Sequence, residues 1–197
     1  MNLNYFSFNS EQGIFYCIYS DSFNETHNKT LHGTSICYLG VGERNFEFYA
    51  GKLKKAYKDI NLQYKSNPLI SSEILDFLKG KRHRIDLKTF FLTGTEFEQA
   101  VWNKAKEIPY GQRVSYKELS VEVAKNIGKP RSYRAVGNAL GKNPVILLVP
   151  CHRIIKSNGD IGNFSSGIPL KIMLLKLEAN TVSVHKDSFG GKQGSGI

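Results

Sequence analysis

Residues 144–167 read PVILLVPCHRIIKSNGDIGNFSSG, and the reading of the fold turns on this stretch. The run PVILLV predicts a short buried strand, which Pro150 ends because proline cannot donate to a ladder. Cys151 then stands at a strand exit, with His152 and Arg153 directly after it. Strand exits commonly present reactive atoms. A thiol is a nucleophile only as the thiolate, so a base or a positive field must lower its pKa. Neighbours in sequence rarely face each other on regular structure, so His152 would reach the sulfur through a turn or an intervening water. Cys17 and Cys37 lie in apolar surroundings and read as small core hydrophobes.

Upstream of this stretch the sequence has helical period. Thr95 and Glu98 form a capping box before FEQAVWNKAKEI, and PYGQR is a turn. Ser115 and Glu118 form a second box, opening YKELSVEVAKNI at Tyr116. GKPR breaks that helix, and SYRAVGNALG makes a third, stopped at Gly141. A tight turn between two short helices, the second basic with small residues, suggests a helix-turn-helix. Downstream, Pro169 marks the start of a last packed helix, LKIMLLKLEAN. The first part has a different texture. GIFYCIYS, TSICYLGVG, RNFEFYAG and HRIDLKTFFL predict strands, and LISSEILDFLKG predicts a helix ending at Gly80. Thr93–Thr95 marks the boundary between an N-terminal region 1–92 and a C-terminal region 93–180. A polar, glycine-rich tail follows over 181–197.

The 197 residues carry 27 basic and 17 acidic side chains, a net charge of +10. The excess is uneven, +3 over 1–92 and +7 over 93–197. Lys129, Arg131, Arg134, Lys142, Arg153 and Lys156 follow one another with no acidic residue between. Such a surface attracts polyanions, nucleic acid first. Three cysteines without paired spacing argue against a disulfide framework. No signal peptide and no stretch of membrane-spanning length are evident, so an intracellular, cytoplasmic protein with free thiols is expected.

In order and spacing, EIPYGQRVSYKELS, RAVGNALGKNP, LLVPCHRIIKSNGDIGNFSSG and LKIMLLKLEAN resemble the O6-alkylguanine-DNA alkyltransferases, over about Phe97–Asn180. The resemblance implies an α/β (α+β) protein, with a ribonuclease H-like N-terminal sheet and a mostly helical C-terminal domain. It implies irreversible, single-turnover repair of O6-alkylguanine, and O4-alkylthymine, in double-stranded DNA by a monomer. It makes Cys151 the alkyl acceptor, His152 the base acting through a water, and Glu178 the carboxylate that holds His152. Asn143 braces the turn carrying the cysteine. Tyr116 rotates the phosphate and protonates the purine, and Arg134 fills the space of the flipped nucleotide. Ala135 and Gly137 allow close approach to the minor groove, while Lys129, Arg131 and Lys142 contact phosphate. Gly162, Asn163, Phe164, Ser165, Ser166 and Arg153 are expected in the substrate pocket.

Read singly, these residues keep plainer roles open. Tyr116 could be an ordinary helix N-terminal residue, Arg134 a phosphate contact, Glu178 the partner of a surface lysine, and Asn143 a helix cap. Phe164 replaces the tyrosine of most members and loses a hydroxyl. Ser166 replaces a common glycine, and its bulk is expected to narrow the pocket toward small alkyl groups. No cofactor is expected. A structural zinc, bound by some members, would need ligands among Cys17, Cys37, His27, His32 and His83, whose spacing matches no compact zinc motif.

Overall fold

A computed structural model describes residues 1–21, 33–128 and 132–189, the last nine by their backbone alone. The first half builds a mixed sheet. β1 (Asn2–Ser10) and β2 (Gly13–Ser20) form a hairpin, and β3 (Ser35–Val41) pairs antiparallel with β2. Two parallel edges are added, β4 (Asn61–Tyr64) on β1 and β5 (Lys88–Thr89) on β3, giving the order β4-β1-β2-β3-β5. Side chains alternate across a strand, so consecutive residues serve opposite faces. Ile36 and Cys17 join one core with the C-terminal helices, whereas Cys37 and Ile18 join another beneath helix α1 (Glu43–Ala56). Helix α2 (Pro68–Leu78) packs into the first core through Ile70, Ile74 and Phe77; Asn67 caps it and Pro68 opens it.

Two expectations for this half need revision, and two strands were not expected at all. RNFEFYAG is helical, not a strand: Tyr49, Ala50 and Leu53 are its buried positions, which is helical spacing. HRIDLKTFFL pairs only at Lys88–Thr89. Strands β1 and β4 have no counterpart among the expected elements.

The second half is helical. α3 (Glu96–Lys106) and α4 (Tyr116–Ile127) start at the two capping boxes read from the sequence. α5 (Tyr133–Gly141) is capped by Ser132, whose hydroxyl accepts from Ala135 N–H. Trp102, buried on α3, donates its indole N–H to Ala139 O of α5 at 2.8 Å and locks the helices together. The final helix, α6 (Ile168–Phe189), continues well past Asn180, into the region read as a polar, glycine-rich tail.

The PVILLV run is not a strand. Val145 and Ile146 bridge to β3 and to Val149, Ile146 N–H donates to Leu39 O, and Leu39 N–H donates to Pro144 O. The chain then turns back on itself, with Val149 N–H on Val145 O and Leu147 at φ 69°. That left-handed conformation is unusual for leucine. Apolar composition marks the segment as buried but cannot tell a ladder from a folded-back turn.

Candidate active site

Cys151 begins a single 3-10 turn, Cys151–Arg153, and its residue is only 5% exposed. Two short structures fix it. On one side, the Asn143 side chain accepts from Val145 N–H and donates to Val149 O at 3.0 Å. The same amide lies 3.0 Å from Cys151 Sγ, so one side chain ties the turn and touches the sulfur. On the other side, β7 (Ile154–Ile155) leaves the turn and pairs in parallel with β6 (Val114–Ser115). Because Tyr116 follows Ser115 directly, this two-residue ladder sets Tyr116 against Cys151.

The two side chains after the cysteine are buried and converge on Glu178 of α6. His152 Nε2 lies 2.8 Å from Glu178 Oε1. Arg153 donates to both carboxylate oxygens at 2.9–3.1 Å and, through Nη1, to Ile108 O at 2.6 Å. Gly111 N–H, in the PYGQR turn, donates to Glu178 Oε2 at 2.9 Å. Burial works to raise the Glu178 carboxyl, but the hydrogen bonds from His152 and Arg153 outweigh it and hold the group below its usual value. An ionised carboxylate only accepts, so the proton sits on His152 Nε2, and Nδ1 carries the free lone pair. Nδ1 is buried with no partner among the described residues. Burial chiefly keeps His152 neutral by lowering its pKa, though Glu178 pulls the other way.

Burial pushes the Cys151 thiol up to about 11, against the opposing effects of Asn143 and of the Lys171 charge. Lys171 was not among the expected site residues. It is wholly buried on α6, with Nζ donating to Ile154 O at 2.6 Å and to Asn163 O at 3.4 Å. Burial lowers it to about 8, and a charge on Cys151 would raise it again. It therefore straps the strand leaving the cysteine to the loop of the facing wall and brings a titratable cation near the sulfur.

A cavity of about 190 Å³ opens at Cys151, walled by Tyr116, Gly137, Leu140, Gly141, Asn163, Phe164 and Ser165. That volume suits one flat heterocycle better than a drug-sized molecule. The Tyr116 phenol stays neutral, its pKa raised by burial and then by Cys151. Gly137 and Gly162 both pack on its ring; a Cβ at Gly162 would stand 3.0 Å from the hydroxyl, and φ there is +71°. Glycine thus satisfies both the backbone and the close approach.

The other expected residues divide. Arg153 is not in the pocket wall: it lies behind the cysteine, pulled inward by Glu178 and Ile108, and its guanidinium lies 5.6 Å from the Tyr110 ring centre. Ser166 borders a neighbouring groove rather than the cysteine cavity. Gly162 backs Tyr116. Arg134 is exposed on the first turn of α5, next to Ala135. Lys142 is ion-paired with Glu98 but remains largely exposed. Lys129 and Arg131 lie outside the described residues, as do His27 and His32. Among the described residues no cluster of three or more His, Cys, Asp or Glu side chains could hold a metal. Cys17 and Cys37 face opposite sides of the sheet, and His83 stacks on Tyr110. No helix among the described residues is long and apolar enough to cross a membrane.

Residues 96–180 match the family model described as 6-O-methylguanine DNA methyltransferase, DNA binding domain. The methylated-DNA–protein-cysteine methyltransferase of Methanosarcina barkeri is 45% identical over 106 residues, covering 54% of this chain and 64% of that protein. Its counterpart in Methanosarcina acetivorans is 44% identical over 110 residues, covering 56% and 67%. The sequence matches thus span about two thirds of the relatives' length. The structural likeness reaches further: Mycobacterium tuberculosis OGT, solved in complex with DNA, superimposes with a TM-score of 0.67 at 26% identity, over 90% of this chain and 94% of that one.

Proposed function

The chain belongs to the methylated-DNA–protein-cysteine methyltransferase family, and we propose that it repairs DNA by moving an alkyl group from guanine O6, and from thymine O4, to the sulfur of Cys151. One observation carries this reading: Cys151 lines a cavity sized for a base, and His152, next to it in the chain, is buried against Glu178.

The resting sulfur is protonated, since burial lifts its pKa. His152 Nδ1, with its lone pair free, takes the thiol proton through one water. Glu178 steadies the imidazolium that forms, and Arg153 and Gly111 hold Glu178 in place. The thiolate attacks the saturated carbon on O6; the S–C bond forms as the C–O6 bond breaks, and the electron pair leaves with the purine. Tyr116 donates its proton to the departing base. A thioether is a poor leaving group, so the alkyl group stays on the sulfur and each molecule acts once.

A base inside a duplex cannot reach this cavity, so the nucleotide is extruded. Arg134 fills the gap, and α5, with Ala135 and Gly137, lies in the minor groove. Binding there ignores sequence, as suits a protein that reads damage. Lys142, Lys129 and Arg131 contact phosphate. We place the monomeric protein inside the cell, where its cysteines, all free, stay reduced.

Mixing equimolar protein with a duplex carrying O6-methylguanine tests the proposal. Intact-protein mass should rise by one methyl-for-hydrogen exchange, on the Cys151 peptide, and stop at one equivalent. Repair by Cys151→Ser, or restoration of many lesions per molecule, would overturn it.

A further inference from the structure

We propose that the groove between α1 and the Ser165–Ser166 loop is a second subsite, which receives the tail of a long O6-alkyl group and prefers tails ending in a carboxylate. The inference rests on the function proposed above, since it needs the lesion base to be in the Cys151 cavity.

The groove encloses about 400 Å³ and is built from both halves of the chain. Its link to the cysteine cavity is direct, because Gly141 and Ser165 border both spaces. Asn143, whose amide touches the sulfur at 3.0 Å, lines the groove as well. The shared rim is low: Gly141 has no side chain, and a Cβ built there meets nothing within 4 Å. A methyl group on O6 fits at the sulfur alone. A chain several carbons long must leave the cysteine cavity, and this rim opens onto an adjoining space.

The lining suits such a chain. Ile146 and Tyr49 give an apolar floor, and Phe48 adds an aromatic ring that is 71% exposed on its residue. Lys52 brings its ammonium to 5.7 Å from the centre of that ring. Lys142 is also present; one carboxylate, Glu98, pairs with it and also feels the charge of Lys52, so the two lysines keep one excess positive charge between them. The buried Tyr38 hydroxyl, without a hydrogen-bond partner among the described residues, belongs to the same wall. An apolar run leading to an end with net positive charge matches an alkyl chain with an anionic end. Ser166 stands on this groove, so its bulk shapes the tail subsite and does not crowd the sulfur.

The test compares single-turnover rates of the full chain on duplexes carrying O6-methyl-, O6-butyl- or O6-(4-carboxybutyl)guanine. The wild type should process the carboxybutyl adduct faster than the butyl one. Lys52→Gln should remove that preference by about fivefold, the upper range for a partly exposed charge pair, with methyl transfer unchanged. Phe48→Ala should slow both long adducts and spare methyl. The rate ratio is the readout, because a general loss of DNA affinity would slow all three alike. Equal carboxybutyl and butyl rates, indifferent to Lys52→Gln while methyl transfer proceeds, would overturn the subsite and leave the proposed function intact. Absence of transfer from any adduct would overturn both.

Discussion

Four donor groups converge on Glu178: His152 Nε2–H, Arg153 Nε–H shared between both oxygens, Arg153 Nη2–H, and Gly111 N–H. Lysine could keep the charge of Arg153 but not its fork, and Ile108 O would lose its donor. Arg153→Lys is therefore expected to cost about 2 kcal/mol in urea unfolding and to slow alkyl transfer through a looser His152. Lys171 yields a prediction with a defined pH window. Below about 8 it is charged and favours the Cys151 thiolate; above that it turns neutral, while the thiol still titrates near 11. Lys171→Met should thus react more slowly with iodoacetamide at pH 7, about tenfold for each unit by which the thiol pKa rises. The two proteins should converge as the pH approaches 10, and a constant ratio across that range would contradict the electrostatic role. Cys151 and His152 stood out in the sequence itself, whereas Asn143 and Glu178 entered through the family resemblance, since a helix cap and a surface ion pair fit them equally well when read singly. Lys171 did neither, because a lysine on a helix is ordinarily assumed to reach water. The inward turn of Arg153 depends on a carboxylate 25 residues away, which no local pattern reveals.

Among the elements, α3 and α4 were legible nearly to the residue, since capping boxes are local devices whose donors and acceptors lie three residues apart, whereas α6 runs on past its expected end at Asn180. α1 was misread because alternating aromatics imitate a strand, and the 144–149 turn because burial was its only sequence signal. The capping box of α4 also has a functional position, since it holds the residue that roofs the cavity. Ser115→Ala should cost about 1 kcal/mol in denaturant unfolding. It should also slow alkyl transfer more than it slows reaction with iodoacetamide, which does not need Tyr116. Gly162→Ala should do the same without the capping loss, because its methyl group would press on the Tyr116 hydroxyl.

For the whole molecule, the positive charge is concentrated in the second half, where α5 exposes Arg134. Affinity for undamaged duplex should fall steeply as salt rises from about 50 to about 200 mM, as expected when phosphate contacts release counterions. A titration showing little salt dependence would argue against a phosphate-led interface. The sheet and the C-terminal helices also share one core, with Phe6, Phe15 and Leu39 in the same cluster as Trp102, Val136 and Leu174.

The exchange between Leu39 and the Pro144–Ile146 backbone makes β3 a splint for the chain just ahead of the nucleophile. A fragment starting at Thr95 would keep every residue that lines the Cys151 cavity yet lose that splint. Its sulfur would sample many positions, so such a fragment should still grip DNA while healing it sluggishly.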